Sequence, residues 1–169
     1  MASYNIRYAS NPDAVKKYDT KELRDEFLIQ NVMKTDELSW VYSHYDRFMV
    51  AGLVPVAKTI KLEAIDPLKA QYFLERRELG IVNIGASGKV EVDGKVYNLE
   101  HKEALYLGQG NKNVVFSSKS STNPAQFYLN STPAHKAFPN KKIGIDDVEV
   151  IELGSPETAN ARTLRKYIV

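Results

Sequence analysis

The sequence carries few histidines that could do acid–base or metal chemistry, and they lie far apart. Its three histidines are His44, His101 and His135, and no two stand at i, i+2 or i, i+4 spacing. The chain contains no cysteine, which excludes thiol catalysis, Cys-ligated zinc and disulfides. A catalytic metal needs about three protein ligands and an open position. The sequence therefore predicts no metal site and no cofactor within this chain.

Two of the histidines are candidates for a catalytic residue. His44 lies among aromatic residues in YSHYD, and on a strand it would share one face with Asp46, as an oriented base does. A histidine held for structural reasons is the competing interpretation. His135 lies in the proline-bounded, lysine-rich loop PAHKAFPNKK. This loop suits contact with an anionic substrate, but it suits a solvated connector or a subunit contact equally well.

Three cations are candidates for binding an acidic substrate. Arg76 and Arg77 stand in the run ERRE, and Lys141 lies near the end of the His135 loop. A guanidinium group is a planar fork that matches a carboxylate, which suits recognition of a sugar acid. Ion pairs with the flanking glutamates are the competing interpretation, because such pairs are common at protein surfaces.

The elements that must position these residues are mainly strands. The stretches GIVNIG, GKVEVDGKVYNLE, EALYLGQG and NVVFSS are short β-forming runs separated by glycine-rich turns, and Asp93-Gly94 is typical of a tight hairpin. Before them, DTKELRDEFLIQNV predicts a short helix with Asp19 or Thr20 as N-cap. Many short strands with regular turns favour an all-β dominated, antiparallel jelly-roll barrel. We expect an arm over residues 1–35 and a barrel over residues 36–169.

Length and charge narrow the class of protein. The 169 residues suffice for one domain, and the net charge of +2 without a cluster of basic and aromatic residues predicts no nucleic-acid partner. The N-terminus resembles no signal peptide, and no apolar run approaches the roughly 20 residues that span a bilayer. We expect a soluble cytoplasmic protein without a membrane partner. The apolar end Tyr167-Ile168-Val169 favours a chain that is part of something longer over a terminus docked in the sheet.

Two spacings resemble the motifs of the cupin superfamily, whose members are RmlC-like jelly rolls. Glu78 and Gly85 have the separation of the first cupin motif, and the turn Gly108-Gln109-Gly110 resembles the start of the second. The histidines that the superfamily places before the glutamate and after the turn are replaced by Gln71, Tyr72, Phe73, Leu74 and Asn113. Glu78 alone remains of four possible ligands, so we expect a metal-free barrel in which Glu78 pairs with Arg76, Arg77 or a backbone donor.

A more specific resemblance extends along most of the chain. VYSHYDRFMVAGLVPVAKTI, YFLERRELGIVNIGASGKVEVDG, ALYLGQGNKNVVFSS, PAHKAFPNKK and RTLRKYIV together resemble the 5-keto-4-deoxyuronate isomerase family of pectin and uronate breakdown. That family is built from two cupins, and the resemblance implies that this chain is its N-terminal half. The resemblance also places the zinc ligands, three histidines and a glutamate, in a C-terminal cupin beyond this chain.

The resemblance implies a function and partners. The activity would be ketol-isomerisation of 4-deoxy-L-threo-5-hexosulose-uronate to 3-deoxy-D-glycero-2,5-hexodiulosonate by a zinc enzyme that forms a homo-oligomer, a hexamer in the family. The isolated chain is expected to be inactive, because it lacks the metal ligands. A non-catalytic module that binds a sugar acid or supports oligomerisation remains the alternative.

Overall fold

The computed structural model describes residues 2–167, and within them the chain forms thirteen strands, two α-helices and four short 3-10 helices. The strands are β1 (Ser3–Arg7), β2 (Ser39–Ser43), β3 (Met49–Leu53), β4 (Ile60–Lys61), β5 (Arg77–Asn83), β6 (Gly88–Val92), β7 (Lys95–Leu99), β8 (Ala104–Leu107), β9 (Val114–Ser118), β10 (Phe127–Pro133), β11 (Lys141–Ile143), β12 (Glu149–Leu153) and β13 (Arg162–Lys166). The helices are α1 (Pro12–Val15) and α2 (Thr20–Phe27), with 3-10 turns at Asp66–Leu68, Phe73–Glu75, Ile145–Asp147 and Pro156–Thr158.

The strands form two facing sheets and a separate hairpin. A seven-stranded sheet has the order β1-β2-β3-β10-β5-β8-β11, and a four-stranded sheet has the order β4-β9-β6-β7. All pairings between these strands are antiparallel except β1 with β2. Strands β12 and β13 pair only with each other. The predicted β-dominated jelly roll is confirmed, although its two sheets are not closed into a continuous barrel.

The hydrophobic core lies between the two sheets. Along β5, alternate residues are buried and half-buried, as expected for a strand with one face against a core. Leu79 and Ile81 of this strand pack in the same apolar cluster as Val90 and Phe116 of the four-stranded sheet. The ring of Phe116 also meets Phe127 of β10 at a centroid distance of 5.4 Å. The space between the sheets is therefore filled with side chains.

The N-terminal segment contains the predicted short helix and a strand that was not predicted. Helix α2 begins at an Asp19 N-cap whose carboxylate accepts a hydrogen bond from the Glu22 amide. In return, the Asp19 amide donates to the Glu22 carboxylate. Strand β1 adds to the edge of the seven-stranded sheet through β2. The boundary between an arm and a barrel at residue 35 stays a prediction.

The C-terminal hairpin returns the chain to the large sheet. The Tyr167 hydroxyl donates to the Lys102 carbonyl at 2.5 Å, and Tyr167 packs near a small apolar cluster formed by Ala104, Ile143 and Val148. Ile168 and Val169, which the prediction about the chain end included, lie outside the described residues. Within residues 2–167, no helix has the length and apolar character needed to cross a membrane.

Candidate functional site

A cationic pocket lies at one end of the two-sheet sandwich. Its walls come from the β2–β3 turn, the segment before β5, the first residue of β5 and the last residue of β10. The cavity has a volume of about 330 Å³, within the range of small-molecule sites. Its principal lining residues are Tyr42, Arg47, Phe73, Arg76, Arg77 and Pro133. Two of the predicted substrate-binding residues, Arg76 and Arg77, thus meet in one cavity.

Arg77 is the buried arginine of this pocket. Its side chain is 5% exposed, since the first residue of β5 points between the sheets. The Nε atom donates to the Ser131 hydroxyl at 3.0 Å, and Nη2 donates to the carbonyls of Ser131 at 2.8 Å and Arg47 at 2.7 Å. Burial lowers the pKa of Arg77 to about 10, while Tyr42 acts to raise this pKa and Arg47 acts to lower it. These contacts anchor the guanidinium but supply no negative charge.

Arg47 reaches the pocket from a tight turn between β2 and β3. The amide of Phe48 donates to the Tyr45 carbonyl at 3.0 Å, and the two central residues, Asp46 and Arg47, have φ values of 52° and 54°. Both therefore occupy the left-handed region, which costs energy for residues other than glycine. The hydrogen bond from Arg77 to the Arg47 carbonyl holds this turn in place.

Arg76 is fastened to the opposite rim. Its Nη2 atom donates to the carbonyls of Leu68 at 3.0 Å and Lys69 at 2.7 Å, while the Ala134 amide donates to the Arg76 carbonyl at 3.0 Å. Lys69 has a φ of 45°, so a left-handed residue shapes this rim as well. Hydrogen bonds therefore fix the guanidinium groups of Arg76 and Arg77 at this cavity, and Arg47 lines it from an exposed turn that is distant in sequence.

Two carboxylates that lie near Arg76 in the sequence are engaged elsewhere. Asp66 forms an ion pair with Lys69 at 2.6 Å, and Glu75 accepts from the Gln71 amide at 2.6 Å. Among the described residues, none that lines the pocket is an aspartate or a glutamate. The pocket therefore holds an excess of positive charge without a protein counter-charge on its walls.

Glu78 lies on the other face of the sheet, and its expected pairing was wrong. Its Oε2 atom accepts from the Tyr106 hydroxyl at 2.7 Å, rather than from Arg76, Arg77 or a backbone donor. Adjacent residues of a strand point to opposite faces, which separates Glu78 from Arg77. Burial, together with the Glu78 contact, raises the pKa of Tyr106 to about 12. Lys141 is paired with Tyr106 in the register of β11 and β8, so it belongs to this face and not to the arginine pocket.

The histidines are not brought together. His44 follows the last residue of β2, is exposed, stacks on Tyr8 at 4.6 Å between ring centroids, and meets Tyr42 edge-on at 5.3 Å. Strand β2 ends at Ser43, so His44 and Asp46 do not share the strand face that the sequence predicted. His135 is exposed in the loop between β10 and β11.

The loop that contains His135 is tied to the turn after β8. Asn140 Oδ1 accepts from the Gly108 amide at 3.1 Å and from Asn111 Nδ2 at 2.9 Å. A Cβ atom on Gly108 would collide with the carbonyl oxygen of Phe138, so only glycine permits this approach. The glycine turn that resembles a cupin motif thus serves to pack a loop.

The described residues do not fit a zinc ion. Within residues 2–167, no three histidine, aspartate or glutamate side chains are placed to hold a metal. Phe73 and Leu74 stand at positions where cupins carry ligands, but both lie in the hydrophobic core and are only 2% and 0% exposed. Glu78 faces away from that core. The absence of a cofactor from this chain, and the presence of zinc in the longer family enzyme, stay predictions.

Comparison with known proteins identifies the family. The model of the KduI/IolB family matches residues 27–169. This chain belongs to the KduI/IolB family. It is 56% identical over 166 residues to a protein of Formosa agariphila named 4-deoxy-L-threo-5-hexosulose-uronate ketol-isomerase, and 46% identical over 167 residues to one of that name in Escherichia coli.

The family members are longer than this chain. The alignments cover 98% of this chain but only 59% of the Formosa protein and 60% of the Escherichia coli protein. The expectation that the chain equals an N-terminal half is therefore not supported. Among solved structures, an IolB-like protein of Salmonella typhimurium LT2 aligns with a TM-score of 0.52 at 15% identity, over 72% of this chain and 43% of that one. This likeness supports the fold alone.

Sequence reasoning missed Arg47 and Tyr42 as members of the cationic pocket. Arg47 is 30 positions before Arg77 and lies in a turn whose sequence, YDRF, lacks the glycine typical of such a conformation. An alternating pattern along SWVYS could have placed Tyr42 on the buried face beside Trp40. Nothing in the sequence indicated that the turn would approach β5.

Proposed function

We propose that the protein to which this chain belongs is a ketol-isomerase of 4-deoxy-L-threo-5-hexosulose-uronate that acts in pectin and uronate breakdown. The observation that carries this proposal is the identity of 46–56% with proteins of that name over 98% of the chain. Its product would be 3-deoxy-D-glycero-2,5-hexodiulosonate.

Such an isomerisation moves a carbonyl between neighbouring carbons of an acidic sugar. It requires a base for the proton that is transferred, polarisation of the carbonyl, and a cation for the carboxylate. In this chain, His44 and His135 are the candidate bases, and both are exposed. Arg76, Arg77 and Lys141 are the candidate cations. We place the metal centre of the enzyme, a zinc site by family resemblance, in the part of the relatives that this chain does not span.

We assign this chain a supporting role in that enzyme. The filled space between its sheets makes it a rigid module, which suits packing against a catalytic domain or against other subunits in a homo-oligomer. The isolated chain is then expected to be inactive. The alternative is a non-catalytic module that binds a sugar acid or supports oligomerisation. Of these two roles, the cationic pocket favours binding of a sugar acid.

A chimera tests the proposal directly. The region of the Formosa agariphila relative that aligns with this chain is replaced by this chain, and turnover of the hexosulose-uronate is measured beside the parent relative and the 169-residue chain alone. Because the two are 56% identical, we expect the chimera to retain kcat/KM within about tenfold, a loss below about 1.4 kcal/mol.

Each remaining outcome has a definite meaning. A folded, oligomeric chimera without turnover would contradict the isomerase proposal. Turnover and stoichiometric metal in the 169-residue chain alone would contradict the supporting role, since the catalytic centre would then lie within it.

A further inference from the structure

The cationic pocket combines charge with an apolar wall. Three arginines line a cavity of about 330 Å³ whose other lining includes Tyr42, Phe73 and Pro133. Tyr42 and Phe73 are largely buried, and the ring of Phe73 stacks on Trp40 at 4.6 Å. A ligand that fits these walls has an anionic group at one end and a compact, partly apolar body at the other.

The burial of Arg77 is the strongest indication of a missing anion. A buried charge without a partner is destabilising, and proteins normally pair it. Here the partners of Arg77 are one hydroxyl and two carbonyls, which satisfy Nε and Nη2, while Nη1 takes part in none of these contacts. Arg47 lines the same cavity, so a second positive charge lies near Arg77 and no acidic residue lines the wall among the described residues.

A carboxylate fits this arrangement better than a phosphate. Phosphate sites usually draw on several backbone N–H groups at a helix N-terminus or a glycine-rich loop. This pocket is built instead from arginine side chains and apolar residues. Guanidinium forks match a carboxylate in the plane, and the aromatic and proline walls can accommodate the carbon face of a sugar ring.

We propose that the pocket formed by Arg47, Arg76 and Arg77 binds the carboxylate of a monosaccharide acid, with Tyr42 and Phe73 beside the sugar ring. All of the residues assigned to this site belong to the described part of this chain. The anionic nature of the ligand follows from the pocket alone, whereas its identification as a sugar acid rests on the proposed function.

The chain carries its own reporter for this site. Trp40 is its single tryptophan, and it stacks on Phe73 in the pocket wall. Binding of D-galacturonate to the 169-residue chain is measured by tryptophan fluorescence and by calorimetry, with D-galactose as the neutral probe and inorganic phosphate as the bare oxyanion. We expect saturable binding of D-galacturonate and none of D-galactose at the same concentrations.

The matched variants are Arg47→Gln and Arg24→Gln. Arg47 contributes only its carbonyl to the fold contacts described above, so the variant removes a pocket charge while the turn remains. We expect at least about a tenfold weaker affinity for D-galacturonate, the equivalent of about 1.4 kcal/mol. Arg24 is exposed on α2 and does not line the pocket, so Arg24→Gln should bind as the unmodified chain does.

Several results would overturn the proposal. They are an affinity that Arg47→Gln leaves unchanged in the folded protein, equal binding of D-galactose, or tighter binding of phosphate than of D-galacturonate. Loss of turnover in the chimera with intact D-galacturonate binding would reject the isomerase function but retain this site. Normal turnover in the chimera without D-galacturonate binding would support the isomerase function but reject this site.

Discussion

Asn83 and Arg77 lie at opposite ends of the same face of β5, and both are polar and buried. Asn83 is 0% exposed, and Arg77 is 5% exposed, with Leu79 and Ile81 between them. The Asn83 amide nitrogen donates to the carbonyls of Ala86, Leu99 and Glu100, and its Oδ1 accepts from two backbone amides. Arg77 also has three hydrogen bonds, but its charge is not neutralised.

This difference separates a structural polar residue from a binding one. The hydrogen-bonding capacity of Asn83 is filled by the backbone of the loops that close that end of the sandwich, so the residue needs nothing from outside. The charge of Arg77 borders a cavity with two further guanidinium groups and no acidic wall residue among those described. A buried group that remains uncompensated within the protein indicates an external ligand.

The largest effect is expected from Asn83→Ala. The substitution leaves the Leu99 carbonyl and the amides of Gly85 and Gln126 without this partner, which should cost about 3 kcal/mol of unfolding free energy. Urea unfolding measures it, with Asn98→Ala on exposed β7 as the control. D-galacturonate should stabilise Asn83→Ala and the unmodified chain by equal amounts. A loss below that of the control would show that Asn83 is not a structural centre.

A smaller effect on unfolding is expected from Arg77→Met. The variant loses hydrogen bonds to Ser131 and to the Arg47 carbonyl but also removes a desolvated charge, so the net cost should be about 1–2 kcal/mol. The stabilisation by D-galacturonate should disappear, which melting curves with and without the sugar acid would reveal. If that stabilisation persists in a folded Arg77→Met protein, the contrast with Asn83 fails.

The hydrogen-bonded pair Glu78 and Tyr106, on the other face of β5, should contribute less to the unfolding free energy than Asn83 or Arg77. Tyr106→Phe removes the hydroxyl that donates to Glu78, at an expected cost of about 1 kcal/mol near neutral pH. The raised pKa of Tyr106 means that the fold favours the neutral phenol. Its contribution is complete below the ordinary value of 10.0 and is lost as the pH rises toward about 12.

Unfolding curves between pH 8 and pH 12 would test this contribution. The difference between Tyr106→Phe and the unmodified chain should shrink over the alkaline part of that range. A constant difference would mean that the phenol proton is not involved. Glu78→Gln keeps an acceptor for the hydroxyl and should cost less than Tyr106→Phe.

The smallest effect on unfolding is expected from Arg47→Gln. Its side chain is exposed and lies beside another cation, so its removal should change the unfolding free energy by less than about 0.5 kcal/mol. Near-neutral stability combined with weakened binding would mark Arg47 as a ligand-binding residue. A large loss of stability would instead assign it a role like that of Asn83.

Much of the fold could be predicted from local sequence. The Asp93-Gly94 turn joins β6 to β7 as expected, and the Asp19–Glu22 capping box begins α2. These features depend on interactions within a few residues, such as the positive φ of Gly94 and the reciprocal cap hydrogen bonds. Phe73 and Leu74, which stand where cupins carry ligands, lie in the core, a placement that the local sequence did not predict.

Local sequence patterns thus predict most of the strands, helix α2 and the residue types from which a site could be built. Which of those residues meet depends on how the strands pair in the folded chain. ERRE suggests ion pairs between neighbours, but strand alternation sends Arg77 to the core face and Glu78 to Tyr106 on the other face. Arg47 joins Arg77 because β3 pairs with β10 and β10 with β5, and such long-range pairing leaves no signature in a short stretch of sequence.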